Sequence, residues 1–91
     1  MTPGLFTVQL ERRAEKEFAG LPPPVRARFY LVFEALEEDP YRPRPGCDIR
    51  MLQGHPGVRA VRVGHHRCIY EVAGFRVRFT KFAHRRAVYG P

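Results

Sequence analysis

The sequence predicts an α+β domain of order β-α-α-β-β-β-β, with two helices on one face of a sheet and the other face open. Three observations carry this prediction. The apolar period changes from two to 3.6 and back along the chain, prolines bracket the helical part, and glycine-centred turns punctuate the last third at hairpin spacing. At 91 residues there is material for one core, so residues 1–91 are expected to form a single domain.

The first strand is predicted over Leu5–Leu10, where Phe6, Val8 and Leu10 alternate with Thr7 and Gln9. Ala14, Phe18 and Leu21 then fall at i, i+4 and i+7, which marks a short amphipathic helix over residues 11–20, ended by Gly20 and Pro22-Pro23-Pro24. The proline run also starts the next helix, since the first helical turn tolerates proline. From Val25, the positions Phe29, Val32, Phe33 and Leu36 form one apolar stripe, with Arg26, Arg28, Glu34, Glu37 and Glu38 left for solvent. That helix stops at Asp39-Pro40, and Pro40–Gly46, with three prolines, is a loop that either connects elements or forms a basic rim. Strands follow at Ile49–Leu52, Val58–Val63, Arg67–Ala73 and Phe75–Phe82, joined by Gln53–Gly57, Gly64-His65-His66 and Gly74.

Composition narrows the class of partner. A hydrophobic fraction of 44% with seven Phe and four Tyr is globular. No stretch approaches the roughly 20 apolar residues of a membrane span, and the start lacks a basic segment followed by an apolar one, so a cytoplasmic location is expected. Cys47 and Cys68 have neither disulfide-framework nor zinc-ligand spacing, and no metal or other cofactor is expected. The formal charge is +7, with a pI near 10.3, which draws a small domain to nucleic acid or to an acidic protein. Lys16 and Lys81 are the only lysines, and the other fourteen basic residues are arginine, which forks onto phosphate and stacks on bases. A biased or heat-adapted composition gives the same excess, so charge alone does not establish an RNA site.

Strand parity sorts the last third into faces. Phe75, Val77 and Phe79 go to the core and Arg76, Arg78 and Thr80 to the other side; Val61, Val63, Cys68, Tyr70 and Val72 go inward, and Arg62, Arg67 and Glu71 outward. Arg62, Arg67, Arg76 and Arg78 are thereby expected on one surface. Arg62 and Arg67 flank a tight turn with few acids nearby, although Glu71 could neutralise one of them.

At these residues the chain resembles the RelE/ParE superfamily of toxins from bacterial type II toxin–antitoxin pairs. The resemblance rests on the opening strand, the helical hairpin with Ala14-Glu15-Lys16-Glu17-Phe18, then Leu52-Gln53-Gly54, the run from Arg62 to Val72, and His84-Arg85-Arg86-Ala87-Val88-Tyr89. It implies a compact α+β fold whose open sheet face, in RelE-like members, binds mRNA on the ribosome and cleaves it without metal. It also implies an acidic antitoxin partner. Arg67, Arg85 and Tyr89 match positions of the RelE-like groove, as does the basic residue Arg62; Ala60 departs from the pattern, where a second basic residue would stand.

Cleavage of that kind turns the ribose 2′-hydroxyl on the adjacent phosphorus, and it needs a base, cations around the phosphate and an acid for the leaving oxygen. Arginine suits the phosphate but has no lone pair with which to act as a base. The expected catalytic set is Arg67 and Arg85 on the scissile phosphate, His84 or His66 moving a proton, and Tyr89 stacking on a base or aiding proton transfer; Arg62, Arg76, Arg78 and Arg86 bind RNA. Two other functions use the same fold or the same charge: a ParE-like DNA gyrase inhibitor without chemistry of its own, and a nucleic-acid-binding domain that only grips backbone.

Overall fold

Phe29, Val32, Phe33 and Leu36 are buried along one helix face, as their spacing requires, and Ala14, Phe18 and Leu21 are buried from the shorter helix. The computed structural model describes residues 4–84. Its elements are β1 (Thr7–Leu10), α1 (Arg12–Ala19), α2 (Pro23–Glu38), β2 (Ile49–Met51), β3 (Val58–Val63), β4 (His66–Ala73) and β5 (Arg76–His84). The five strands form one sheet in the order β1-β5-β4-β3-β2. From β2 to β5 it is an antiparallel meander, while β1 pairs parallel to β5, with Val8 opposite Val77 and Leu10 opposite Phe79.

The helices lie on one side of this sheet, and between the layers sits an aromatic core. Phe33 packs at a tilt against Phe79 with ring centroids 4.9 Å apart, and Phe18 meets Phe82 at 5.1 Å. Val61, Cys68, Tyr70, Val77 and Phe79 are fully buried, as strand parity predicts for them. Tyr70 also has a polar end to satisfy: its hydroxyl donates to the Pro40 carbonyl at 2.8 Å and so ties the loop after α2 to the core. Tyr70→Phe leaves that buried carbonyl unmatched and is expected to lower stability by about 1–2 kcal/mol in a urea titration.

Strict alternation fails in β5. Ile69 faces Lys81 but Tyr70 faces Phe79, so Thr80 is an extra residue, a β-bulge, and its hydroxyl donates to the Ile69 carbonyl at 3.4 Å. The bulge lets Phe79 and Phe82, three positions apart, both point into the core, and it turns Lys81 to the opposite face. Beyond the end of β1, α1 takes over as partner of β5, and Glu17 accepts from the Phe82 N–H at 3.1 Å. Phe75 does not join the core, contrary to its parity. It is 66% exposed at the second position of the two-residue loop Gly74-Phe75, where Gly74 supplies the positive φ of 61°.

The loop after α2 serves structure first. Arg44 donates to the Ala35 and Asp39 carbonyls at the end of the helix, and Asp39 accepts from the Tyr41 N–H at 2.9 Å. Cys47 and Cys68 are buried free thiols, and burial pushes both thiols up from their ordinary range.

Candidate nucleic-acid interface

The face of the sheet away from the helices carries a file of basic side chains whose places follow from register. Arg62 lies opposite Arg67, Arg67 opposite Ala83, Ile69 opposite Lys81, Glu71 opposite Arg78 and Ala73 opposite Arg76. Arg50 of β2, opposite Ala60, joins them. Arg76 stands at the far end, about 20 Å from Arg67 at ~3.3 Å per strand residue, which is the length of a few nucleotides rather than of one phosphate site.

Acids enter this face from distant parts of the chain. Arg78 is held by Glu11 at 2.6 Å and by Glu71 at 3.4 Å, and Arg62 pairs with Asp48 at 3.3 Å, as does Arg50 at 3.2 Å. Glu71 thus answers Arg78 and not Arg62 or Arg67. These pairs are largely exposed and are worth little to stability. Their effect is on orientation, since Arg78 and Arg62 are pre-engaged and less available to a phosphate. Arg62 is also drawn toward the β2 edge, where with Arg28, Leu31, Asp48 and Gly64 it borders a cavity of about 470 Å³.

Arg67 departs from expectation in another way. Its register places it on the open face of the central strand, flanked by Arg62 and Ala83, yet it is only 6% exposed. A guanidinium this far from bulk water acts through a lower dielectric, so its pull on a phosphate is stronger than that of a surface arginine.

The histidines form their own cluster on the other side. Val63, His66 and His84 are register partners, and Val63 belongs to the core, so His66 and His84 stand on the helix side at the end of the sheet. The two rings are 5.6 Å apart, and His65, from the two-residue loop Gly64-His65, lies 6.0 Å from His84. The expected proton-moving histidines are therefore on the face opposite Arg67, and the reason is parity: each is an odd number of residues from an open-face neighbour on its own strand.

Burial first, then the neighbouring His84 and His65, hold the His66 imidazole below its ordinary value. The unfolded chain takes up that proton first, so stability falls as pH drops through about 6.5, while above that value His66 is neutral in both states and contributes nothing. Between pH ~7.5 and ~5 the melting temperature is expected to fall, and to fall less in His66→Gln; equal slopes in the two proteins would show that His66 is not part of this response.

Arg85, Arg86 and Tyr89 lie outside the described residues. Two side chains of the face escape parity counting on the sequence alone, Lys81 because of the bulge and Arg50 because β2 is so short. The signal for Lys81 is present in hindsight, since apolar Phe79 and Phe82 at odd spacing in one strand require a bulge between them.

A sheet backed by a helical hairpin is a fold that this chain shares with known proteins. Residues 8–89 match the family described as "ParE toxin of type II toxin-antitoxin system, parDE". The chain belongs to this toxin family. The toxin is 34% identical to the protein named RelE1 of Methanocaldococcus jannaschii over 67 residues, 74% of this chain and 73% of that one. To toxin RelE3 of the same organism it is 27% identical, over 81% of this chain and 84% of that one. Among solved structures, the archaeal RelE–RelB complex from Pyrococcus horikoshii OT3 superimposes with a TM-score of 0.75 at 26% identity, covering 89% of the toxin and 96% of its counterpart. The toxin is a component of a type II toxin–antitoxin system with a RelE-like sheet. No helix among its described residues is long and apolar enough to cross a membrane.

Proposed function

We propose that the toxin is a RelE-like endoribonuclease that cuts mRNA on translating ribosomes in the cytoplasm, without metal, and so stops translation. The observation that carries this reading is Arg67, a nearly buried guanidinium in the central strand of an otherwise open basic face. A protein that only gripped backbone would gain little by withdrawing its central cation from solvent, whereas stabilising a crowded phosphate in the transition state gains from a fixed, poorly hydrated charge. The RelE names of the relatives favour the same branch.

In this reading Arg67, with Arg85 from the family motif, holds the scissile phosphate, and Tyr89 stacks on a neighbouring base. Arg76 and Arg86 contact backbone further along, and Arg62 and Arg78 contribute after partial release from their acids. The histidine cluster, on the helix side, is left out of the proton transfer. An acidic antitoxin neutralises the toxin by covering the basic face, in keeping with the net charge and with the RelB partner in the Pyrococcus horikoshii complex.

The test is to express the toxin alone, map mRNA 5′ ends on translating ribosomes, and assay gyrase supercoiling in parallel. New 5′ ends within open reading frames with supercoiling unaffected are expected. Intact mRNA with supercoiling blocked would replace this reading by that of a gyrase inhibitor.

A further inference from the structure

Cleavage by a ribose hydroxyl leaves an unsolved need in this toxin: an acid for the departing 5′-oxygen, on the same face as Arg67. We infer that Lys81 is that acid, an assignment that rests on the nuclease reading above. Three features of the fold lead to it.

The Thr80 bulge rotates Lys81 out of the core parity it would otherwise have and onto the open face, opposite Ile69. Ala83, two residues on, lies opposite Arg67, which makes Lys81 a diagonal neighbour of Arg67, with Cβ atoms expected within about 7–8 Å. That span suits a phosphate held by the guanidinium and a leaving oxygen reached by the ammonium on its flexible four-carbon stem. Lys81 is half-buried.

Its engagement differs from that of its neighbours. Arg50, Arg62 and Arg78 are each tied to a carboxylate, while Lys81 makes no ion pair or side-chain hydrogen bond among the described residues. The other lysine, Lys16, is on α1, away from this face.

The chemistry then separates lysine from arginine. A guanidinium ordinarily holds its proton to above about pH 12, and an ammonium releases its proton near 10.4. An alkoxide leaving group is far more basic than either conjugate base. The ammonium is the better donor, and the histidines that would surpass it are on the other side of the sheet.

The step balances as follows. The 2′-oxygen forms a bond to phosphorus and its proton passes to solvent water. The phosphorus–5′-oxygen bond breaks, and the 5′-oxygen takes a proton from the Lys81 ammonium. The products are a 2′,3′-cyclic phosphate and a 5′-hydroxyl, and the neutral amine regains its proton from water.

A substrate whose leaving atom needs no proton isolates this role. Ribosomes are programmed with mRNA that carries, at the mapped cut, either the ordinary 5′-oxygen or a 5′-bridging sulfur. Lys81→Met is expected to cut the oxygen substrate about 10²–10³-fold more slowly than wild type and the sulfur substrate within a few-fold of it. Lys81→Arg keeps the charge and bulk and should show the same selective rescue, and it carries the test if Lys81→Met does not fold, as judged by circular dichroism. Equal losses on both substrates would reduce Lys81 to a charge near the phosphate, and no loss on the oxygen substrate would remove it from the site. If wild type cuts neither substrate, the nuclease reading itself fails and this assignment falls with it.

Discussion

Arg67→Ala is expected to slow mRNA cleavage by about 10²–10³-fold, the range found when a single preorganised group is removed from a developing oxyanion. The expectation follows from position. Arg67 is in the central strand, flanked on both sides by open-face residues, and at 6% exposed it is the most buried cation among the described residues. Arg67→Lys should recover only part of the loss, because an ammonium cannot reproduce the planar fork that meets two phosphate oxygens at once. Arg78→Ala is the matched control. Held between Glu11 and Glu71, Arg78 is pre-engaged, and its removal should change cleavage by no more than a few-fold. Primer extension on translating ribosomes reads all three variants. Comparable losses in Arg67→Ala and Arg78→Ala would mean that the face works by summed charge and has no focal point.

For stability, the largest expected effect is that of Phe79→Ala, about 3–5 kcal/mol. Phe79 is fully buried and packs against Phe33, Tyr70 and Phe82, with centroids 4.9, 5.4 and 5.4 Å away. Removing it opens a void where both helices and the central strands converge, in a domain whose total stability is on the order of 5–15 kcal/mol. Much of the population should then be unfolded at 37 °C. Phe75→Ala makes the comparison sharp, because a plain alternation of side chains gives Phe75 and Phe79 the same face. Phe75 is 66% exposed and touches only the edge of the core through Phe6, with centroids 5.6 Å apart, so its loss should cost no more than about 1 kcal/mol. Urea midpoints that fell equally in the two variants would contradict the packing described.

Local patterns in the sequence were enough to find both helices and the inward residues of β3 and β4, because each is decided by its neighbours within one or two turns or pleats. Phe29, Val32, Phe33 and Leu36 could face only one way, and so could Val61, Cys68 and Tyr70. What escaped was set by distant partners. The Thr80 bulge exists because β4 and β5 must align two sets of aromatic residues at once, and plain alternation along β5, which ignores the odd spacing of Phe79 and Phe82, turns Lys81 the wrong way. Glu11 meets Arg78 from 67 positions away, so the cluster that reads as poor in acids is supplied with them by the fold. Strand parity already turns His66 away from Arg67, and for His84, which adjoins Arg85 in sequence, it is the register with His66 that places it on the helix side.

The parallel pairing of β1 with β5 also governs when this protein can exist. β5 is an inner strand, between β1 and β4, yet it comes after every other strand in chain order. Until it emerges, β1 has no partner, α1 has no sheet to cover, and the central arginine has no neighbour on one side. Closure of so long a loop is entropically slow compared with hairpin formation. The five-stranded sheet is therefore completed in one step, when β5 enters between β1 and β4 and joins the two ends of the described fold.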